Sequence, residues 1–288
     1  MHQLLLSAAV LLGQSNSHPM GTLVIAGGGP TIPEIVEKAL ALAGGKKARV
    51  VIIPQASARA DTGQRSGEMW RKAGAAYVTV LDLKDRKAAL AAVKEADLIW
   101  MPGGSQSRLM DYLTKNSMVG PIRERFQKGA TVGGTSAGAA VMSLIMLTGE
   151  SPVDRVIASS SKTPEGLGLW PNVIIDQHHV QRRRFNRLLS AVLNHPKYVG
   201  IGIDECTAVV VRGQTFEVVG KSNVFVIDAR KMARIPTKSG EPEAAANVSL
   251  HLLRAGMKYH MDKGLLASVP ERIDRLTHAQ VDRIKTKP

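Results

Sequence analysis

Apolar and polar positions alternate in blocks from residue 22 onward. Thr22 to Ala26 is a short apolar run that stops at Gly27-Gly28-Gly29-Pro30. Thr31-Ile32-Pro33-Glu34 reads as a capping box with a proline in the first helical turn, where its missing N–H costs little. A helix to about Ala43 follows. Ala48 to Pro54 is a second buried strand, Asp61 to Ala73 a helix and Ala76 to Leu81 a strand. Asp85 to Glu95 reads as a helix, and Leu98 to Met101 as a strand ending in Pro102-Gly103-Gly104. Helices over about Gln106 to Leu113 and Pro121 to Lys128 precede the strand Ala130 to Gly133. Short apolar strands alternating with helices predict an α/β fold, a mostly parallel sheet sandwiched by helices. Ligands of such sheets bind beyond the carboxyl ends of the strands, where the three glycine-rich turns fall.

The texture changes after about residue 195. Val199 to Ile203, Ala208 to Val211, Phe216 to Val219 and Val224 to Ile227 are close-spaced strands expected to form added C-terminal hairpins. Residues 229 to 246 are polar and read as a loop, and the basic tail from 247 is only weakly periodic. No repeat or long linker demands a cut, so residues 20–288 are expected to form a single catalytic α/β domain. Residues 1–19 stand apart as a leader. Leu4 to Gly13 is apolar and Ser15-Asn16-Ser17 suits signal cleavage, although only His2 precedes the run where a cation is expected. A secreted or periplasmic protein is the first expectation and a cytoplasmic form starting near Met20 the alternative.

Composition narrows the function classes. No segment approaches the roughly 18 consecutive apolar residues of a membrane span. Lys and Arg number 38 against 24 Asp and Glu, a net charge of +14 that favours anionic partners without specifying one. Aromatic residues make up 4% of the chain, too few to suggest the stacking platforms of single-strand nucleic-acid binders. Cys206 is the one cysteine, which excludes an intrachain disulfide and a cysteine-based metal cluster.

The candidate chemistry centres on Gly134-Thr135-Ser136-Ala137-Gly138. A serine between glycines, after a strand and before an apolar helix, has the context of a nucleophile elbow. The N–H of Ala137 would face a developing oxyanion, and the Gly103-Gly104 turn is the best source of a second donor. A serine also needs a base and an acid to orient it. His178 and His179 follow the strand Val173 to Asp176, and Asp204-Glu205 ends the strand Val199 to Ile203. A carboxylate pair ending a buried strand is costly unless partnered, and solvated turn carboxylates remain the alternative. A helix is predicted over Gln181 to Leu193, with Phe185, Leu188, Leu189 and Val192 as its core stripe. Arg182, Arg183 and Arg184 would then crowd the helix end that disfavours cations. That placement suits either a carboxylate-binding site or a merely basic surface helix.

With these pieces assembled, the chain resembles the cyanophycinase branch of the serine peptidase family that also contains alpha-aspartyl dipeptidase. The resemblance rests on Gly133-Gly134-Thr135-Ser136-Ala137-Gly138-Ala139, Pro102-Gly103-Gly104-Ser105-Gln106, Asp176-Gln177-His178 with Arg182, Arg184, Arg187 and Leu188, and Gly200-Ile201-Gly202-Ile203-Asp204-Glu205. It spans about residues 20 to 228. It implies a class I glutamine amidotransferase-like (flavodoxin-like) fold, a metal-free and cofactor-free mechanism, and a homodimer. It further implies Ser136 as nucleophile, His178 as base and Glu205 as orienting acid, with Gly104 and Ala137 as the oxyanion hole. Gln106, Gln177, Arg182, Arg184 and Arg187 would line the substrate pocket. The implied reaction is exo-hydrolysis of cyanophycin, multi-L-arginyl-poly-L-aspartate, to β-Asp-Arg dipeptides. His179 and Ser105 depart from the family pattern, which usually has an aromatic residue at the first position and often Asp or Asn at the second.

Other readings make separable predictions. A broader dipeptidase of the same family would act on short aspartyl peptides. An α/β-hydrolase esterase would place a late histidine such as His251 or His260 against Ser136, because there the acid precedes the histidine. An anion- or nucleic-acid-binding protein would keep its function without Ser136. A glutamine amidotransferase is disfavoured by serine at the elbow, and Cys206 reads as a packing residue.

Overall fold

Buried runs of β-branched and aliphatic residues set the framework of the computed structural model, which describes residues 21–270. The strands β1 (Thr22–Ala26), β2 (Arg49–Ile52), β3 (Tyr77–Val80), β4 (Leu98–Met101) and β5 (Thr131–Thr135) run parallel in the order β1-β5-β4-β2-β3. Leu-Ile-Trp-Met of β4 is wholly buried, as expected of a central strand covered on both faces. The helices α1 (Pro33–Leu42) and α2 (Thr62–Lys72) cover one face with Ile35, Val36, Ala39, Leu40 and Trp70. Trp70 meets Trp100 edge-on at 5.2 Å. On the other face lie α3 (Arg86–Glu95), α4 (Gln106–Lys115), α5 (Val119–Gln127) and the single turn α6 (Ala137–Ala140).

The histidine strand β6 (Val173–Gln177), helix α7 (Phe185–Asn194) and strand β7 (Val199–Ile203) come next. Strands β6 and β7 belong to a second sheet. There β6 and β7 are parallel, while β10 (Asn223–Asp228) joins β7 and β13 (Ser249–Arg254) joins β10, both antiparallel. The hairpin of β8 (Thr207–Arg212) and β9 (Thr215–Gly220) returns to the first sheet, pairing β8 against β1. The main sheet thus becomes nine-stranded, closed beyond β9 by β14 (Lys258–His260) and β15 (Leu265–Ser268). Of the expected hairpins β8 and β9 form one, whereas β7 and β8 are consecutive strands of different sheets.

The reason is burial on both faces of the second sheet. Ile175, Ile201, Ile203, Val224 and Val226 join the core cluster that also holds Val209, Val211 and Phe216 of the first sheet. Ile174 and Ile227 face the opposite way, onto Leu188, Ala191 and Val192 of α7. The expected loop over residues 229–246 is irregular apart from the short pair β11 (Ala233–Arg234) and β12 (Ala245–Ala246).

Two local expectations fail for identifiable reasons. Pro33 opens α1, but the cap residue is Ile32 and no side chain caps the helix end, so the capping box is not formed. Helix α7 starts at Phe185 and not at Gln181, because Arg183 adopts φ 53° and breaks the helical path. Phe185, expected in the core stripe, is 38% exposed. The leader over residues 1–19 lies outside the described residues. No helix among the described residues is long and apolar enough to cross a membrane.

Candidate active site

Ser136 directly follows β5 in a conformation that few side chains adopt, φ 55° and ψ −113°. Backbone held in so sparse a region costs on the order of 1–3 kcal/mol, and here the surroundings enforce it. The Ser136 N–H donates to the carbonyl of Ala26 at 3.1 Å, tying the elbow to the end of β1. The turn after β4 lies against it, since a side chain at Gly103 would come within 3.3 Å of the Ser136 Cβ. Gly104 has φ 149° and a Cβ there would collide with the Ala56 carbonyl, so only glycine lets this turn approach.

The candidate base comes from the second sheet. His178 follows β6, with φ 51° and its N–H donated to the Gly27 carbonyl at 2.6 Å. Its Nε2 lies 2.8 Å from Ser136 Oγ and its Nδ1 2.5 Å from Glu205 Oε1. With Nδ1 protonated and donating to Glu205, Nε2 is left to accept from the Ser136 hydroxyl. Burial pushes the His178 pKa below its ordinary value. The Glu205 hydrogen bond pulls it back upward, and the cations Arg182 and Arg184 add to the lowering. A neutral imidazole at neutral pH follows, which is the form a general base needs.

Glu205 sits just past β7, and Asp204 beside it does different work. The Asp204 carboxylate, 2% exposed, accepts from the Val180 N–H at 3.0 Å and from Ser222 Oγ at 2.8 Å. It therefore anchors the loop that carries His178 to the strand that carries Glu205. The backbone N–H of Glu205 donates to Gln181 Oε1 at 3.1 Å. The strand-end acidic pair is partnered, as burial requires, with one carboxylate on the histidine and one holding the loop.

The arginines divide. Arg187, 1% exposed, forms a bidentate pair with Asp176, with Nε to Oδ2 at 2.9 Å and Nη2 to Oδ1, and its Nη1 donates to the Thr148 carbonyl. Burial alone would raise the Asp176 pKa, but the Arg187 hydrogen bonds, with the His179 ring 3.8 Å away, outweigh it and hold it at about 2. Arg184 donates Nη1 to the Gln177 carbonyl and side-chain oxygen at 2.6 and 2.7 Å. Burial and then the Arg187 charge lower its pKa to about 10. Arg182 is exposed. Gln106 Nε2 donates to the Leu147 carbonyl at 2.8 Å. Of the expected pocket residues, Arg187 has its guanidinium fork occupied by protein, Gln106, Gln177 and Arg184 are partly engaged, and Arg182 faces solvent.

Sequence reasoning missed the floor of this site. A side chain at Gly28, φ 102°, would fall 2.3 Å from the His178 ring, and one at Gly29 would fall 2.8 Å from Glu205 Oε2. The glycine run after β1 was the available signal; its meaning depended on what packs over it. Neither His251 nor His260 faces Ser136: His251 meets Tyr259 edge-on at 5.1 Å and lies on β13, paired with Val226 of β10, while His260 ends β14. Among the described residues no His, Cys, Asp and Glu group is placed to hold a metal ion.

Comparison with known proteins agrees with this geometry. Residues 22–219 match the model of peptidase family S51. The chain is 38% identical over 238 residues to a cyanophycinase of Geminocystis herdmanii (strain PCC 6308), covering 79% of this chain and 88% of that one. It is 36% identical over 251 residues to a cyanophycinase of Nostoc sp. (strain PCC 7120 / SAG 25.82 / UTEX 2576), covering 83% and 84%. Among solved structures, a peptidase from an acI-B1 Actinobacterium superposes with TM-score 0.63 at 24% identity, covering 84% of this chain and 98% of that chain. A serine elbow hydrogen-bonded to a histidine, which is itself hydrogen-bonded to a glutamate, on a chain matched over most of its length, leads to one conclusion: this protein is a serine-type peptidase belonging to peptidase family S51.

Proposed function

We propose that this chain hydrolyses cyanophycin, releasing β-Asp-Arg dipeptides through an acyl-enzyme on Ser136. The observation that carries the chemistry is the continuous chain of hydrogen bonds from Ser136 Oγ through His178 to Glu205. The substrate class follows from similarity to cyanophycinases at 33–38% identity. Ser136 Oγ attacks a backbone carbonyl carbon of the polyaspartate while His178 Nε2 takes its proton. Glu205 holds the imidazole in the required tautomer and offsets the charge that forms on it. The N–H groups of Ala137 and Gly104 are assigned to the oxyanion. Collapse breaks the C–N bond as Nε2 returns the proton to the leaving amine. Water then attacks the ester, its proton passing to Nε2 and on to Ser136, which frees the acid product.

A second reading, a dipeptidase for short aspartyl peptides, is favoured by weaker similarity to Peptidase E of Pasteurella multocida, 23% identical over 200 residues. The test is incubation of the protein and its Ser136→Ala variant with insoluble cyanophycin granules, identifying soluble products by mass. Release of β-Asp-Arg by the wild type alone is expected. No release, with cleavage of short aspartyl peptides, would replace the polymer by the second reading. Equal release by both proteins would remove Ser136 from the mechanism.

A further inference from the structure

A polymer held at Ser136 must continue past it, at about 3.3–3.6 Å per extended residue, and the same rim of the sheet carries a second concavity. A groove of about 710 Å³ opens beyond the carboxyl ends of β2 and β3. The turn of Pro54 to Ser57 forms part of its wall. The other side of that turn backs the Gly103-Gly104 loop, with the Ser105 N–H donating to the Ala56 carbonyl at 2.8 Å. One turn of chain therefore separates the groove from the loop that lies against Ser136.

The lining is cationic. Lys84, Arg108 and Lys115 face the groove, and none has a carboxylate within ion-pair distance among the described residues. Arg59 also lines it but is engaged by Asp61 at 2.9 Å. Arg108, Tyr112 and Lys115 are one exposed stripe of α4, at helical spacing, and Tyr112 is 47% exposed. Asp82 stands at the rim with Oδ1 accepting the Lys84 backbone N–H at 2.9 Å.

We propose that this groove is an exosite for the polymer, binding repeats that lie outside the catalytic centre. This rests on the cyanophycin reading above and adds a binding site to it. Each repeat of multi-L-arginyl-poly-L-aspartate ends in a carboxylate and a guanidinium on the same arginyl unit. Lys84, Arg108 and Lys115 match the carboxylates as point charges and as a fork. The Tyr112 ring and the Asp82 carboxylate match the guanidinium by cation–π contact and by charge. A paired lining of this kind answers how a +14 protein selects a nearly zwitterionic polymer, which its net field alone would not attract.

The test measures binding without turnover. In the Ser136→Ala background, co-sedimentation with cyanophycin granules is compared for three proteins at low and high salt. They are the parent, the groove variant Lys84→Gln/Arg108→Gln/Lys115→Gln, and a charge-matched control, Lys47→Gln/Lys72→Gln/Lys94→Gln. The control changes exposed lysines that carry no ion pair among the described residues and lie at the opposite end of the sheet. The groove variant is expected to need about tenfold more granules for half-sedimentation and to lose most of its salt dependence. The control is expected to stay close to the parent. Arg108→Gln alone, a single exposed change, should shift binding in the same direction, so a folding defect in the triple variant leaves the test intact. Sedimentation of the groove variant like its parent, or an equal loss in the control, overturns the exosite. Because the assay does not use hydrolysis, failure of the wild type to release β-Asp-Arg would end the catalytic reading and leave this binding result standing by itself.

Discussion

At Glu205 the proposed chemistry rests on one short contact. The carboxylate meets His178 Nδ1 at 2.5 Å and does nothing else that the mechanism needs. Glu205→Gln keeps the shape and removes the charge that selects the Nδ1–H tautomer. A fall in kcat on the order of 10⁴-fold is expected, as for loss of the acid in other serine triads. Steady-state kinetics with an unchanged melting temperature would check it. Retention of more than about a tenth of the activity would mean that another group orients His178.

The pH profile is set at the same scale. His178 titrates below its ordinary value because it is buried and because Arg182 and Arg184 disfavour the imidazolium, against the pull of Glu205. Protonation removes the proposed base, so kcat/KM should fall as pH drops through that lowered pKa, giving an acidic limb below the ordinary histidine range. Removing a neighbouring cation favours the charged imidazole. Arg182→Gln should therefore move the acidic limb toward higher pH, measured as kcat/KM so that the limb reports the free protein. A limb that stays in place would show that the solvent-exposed Arg182 charge is fully screened.

At the scale of elements, the ends of β1, β5, β6 and β7 converge, and the small residues between them decide whether they fit. Gly28 has φ 102° and its absent Cβ is the space filled by the His178 ring. Gly28→Ala should cost stability through the positive φ and displace the histidine, lowering kcat by about 10²-fold, in line with a misplacement near 1 Å. The buried pair between Asp176 of β6 and Arg187 of α7 is a second joint. Asp176→Leu leaves an uncompensated guanidinium and should destabilise by about 3–5 kcal/mol, whereas adding Arg187→Met should restore most of it. Urea unfolding of the two variants checks both signs.

These joints also mark where the sequence stopped being legible. The serine elbow, the histidine pair and the strand-end acidic pair could be read because each is a local signal, a reactive residue at the end of an apolar run, while the choice of His178 and Glu205 within the pairs rests on the resemblance. The resemblance puts Arg187 in the pocket because a matched motif carries a residue's position, not the partner that waits there. The partner is Asp176, eleven residues earlier in the sequence and inside a buried strand. The glycine run was visible and its purpose was not, for the same reason. Helix α7 begins later than its apolar pattern predicts because the irregular turn at Arg183 has no compositional marker.

At the scale of the whole molecule the unread part is the tail. Residues 249–268 read as aperiodic because their strands lie at or beside sheet edges, with few buried positions each. Even so, β13 closes the second sheet on β10 and β14 closes the first on β9. Leu253, Tyr259 and Met261 enter the main core at 1%, 0% and 5% exposure. Burying three such side chains is worth about 1.5–3 kcal/mol each, a sum comparable with the 5–15 kcal/mol that separates folded from unfolded domains. The matched family region stops at residue 219, yet a chain ended after Asp228 is expected to lose cooperative unfolding and to aggregate through the bared edges of β9 and β10. The milder variant Tyr259→Ala should fold with a loss of about 3–5 kcal/mol, the range for removing a buried aromatic ring. If the shortened chain instead melts cooperatively near the full-length temperature, the two sheets are held by β1, β8 and α7 alone. The C-terminal strands would then be an appendage to the catalytic unit and not part of it.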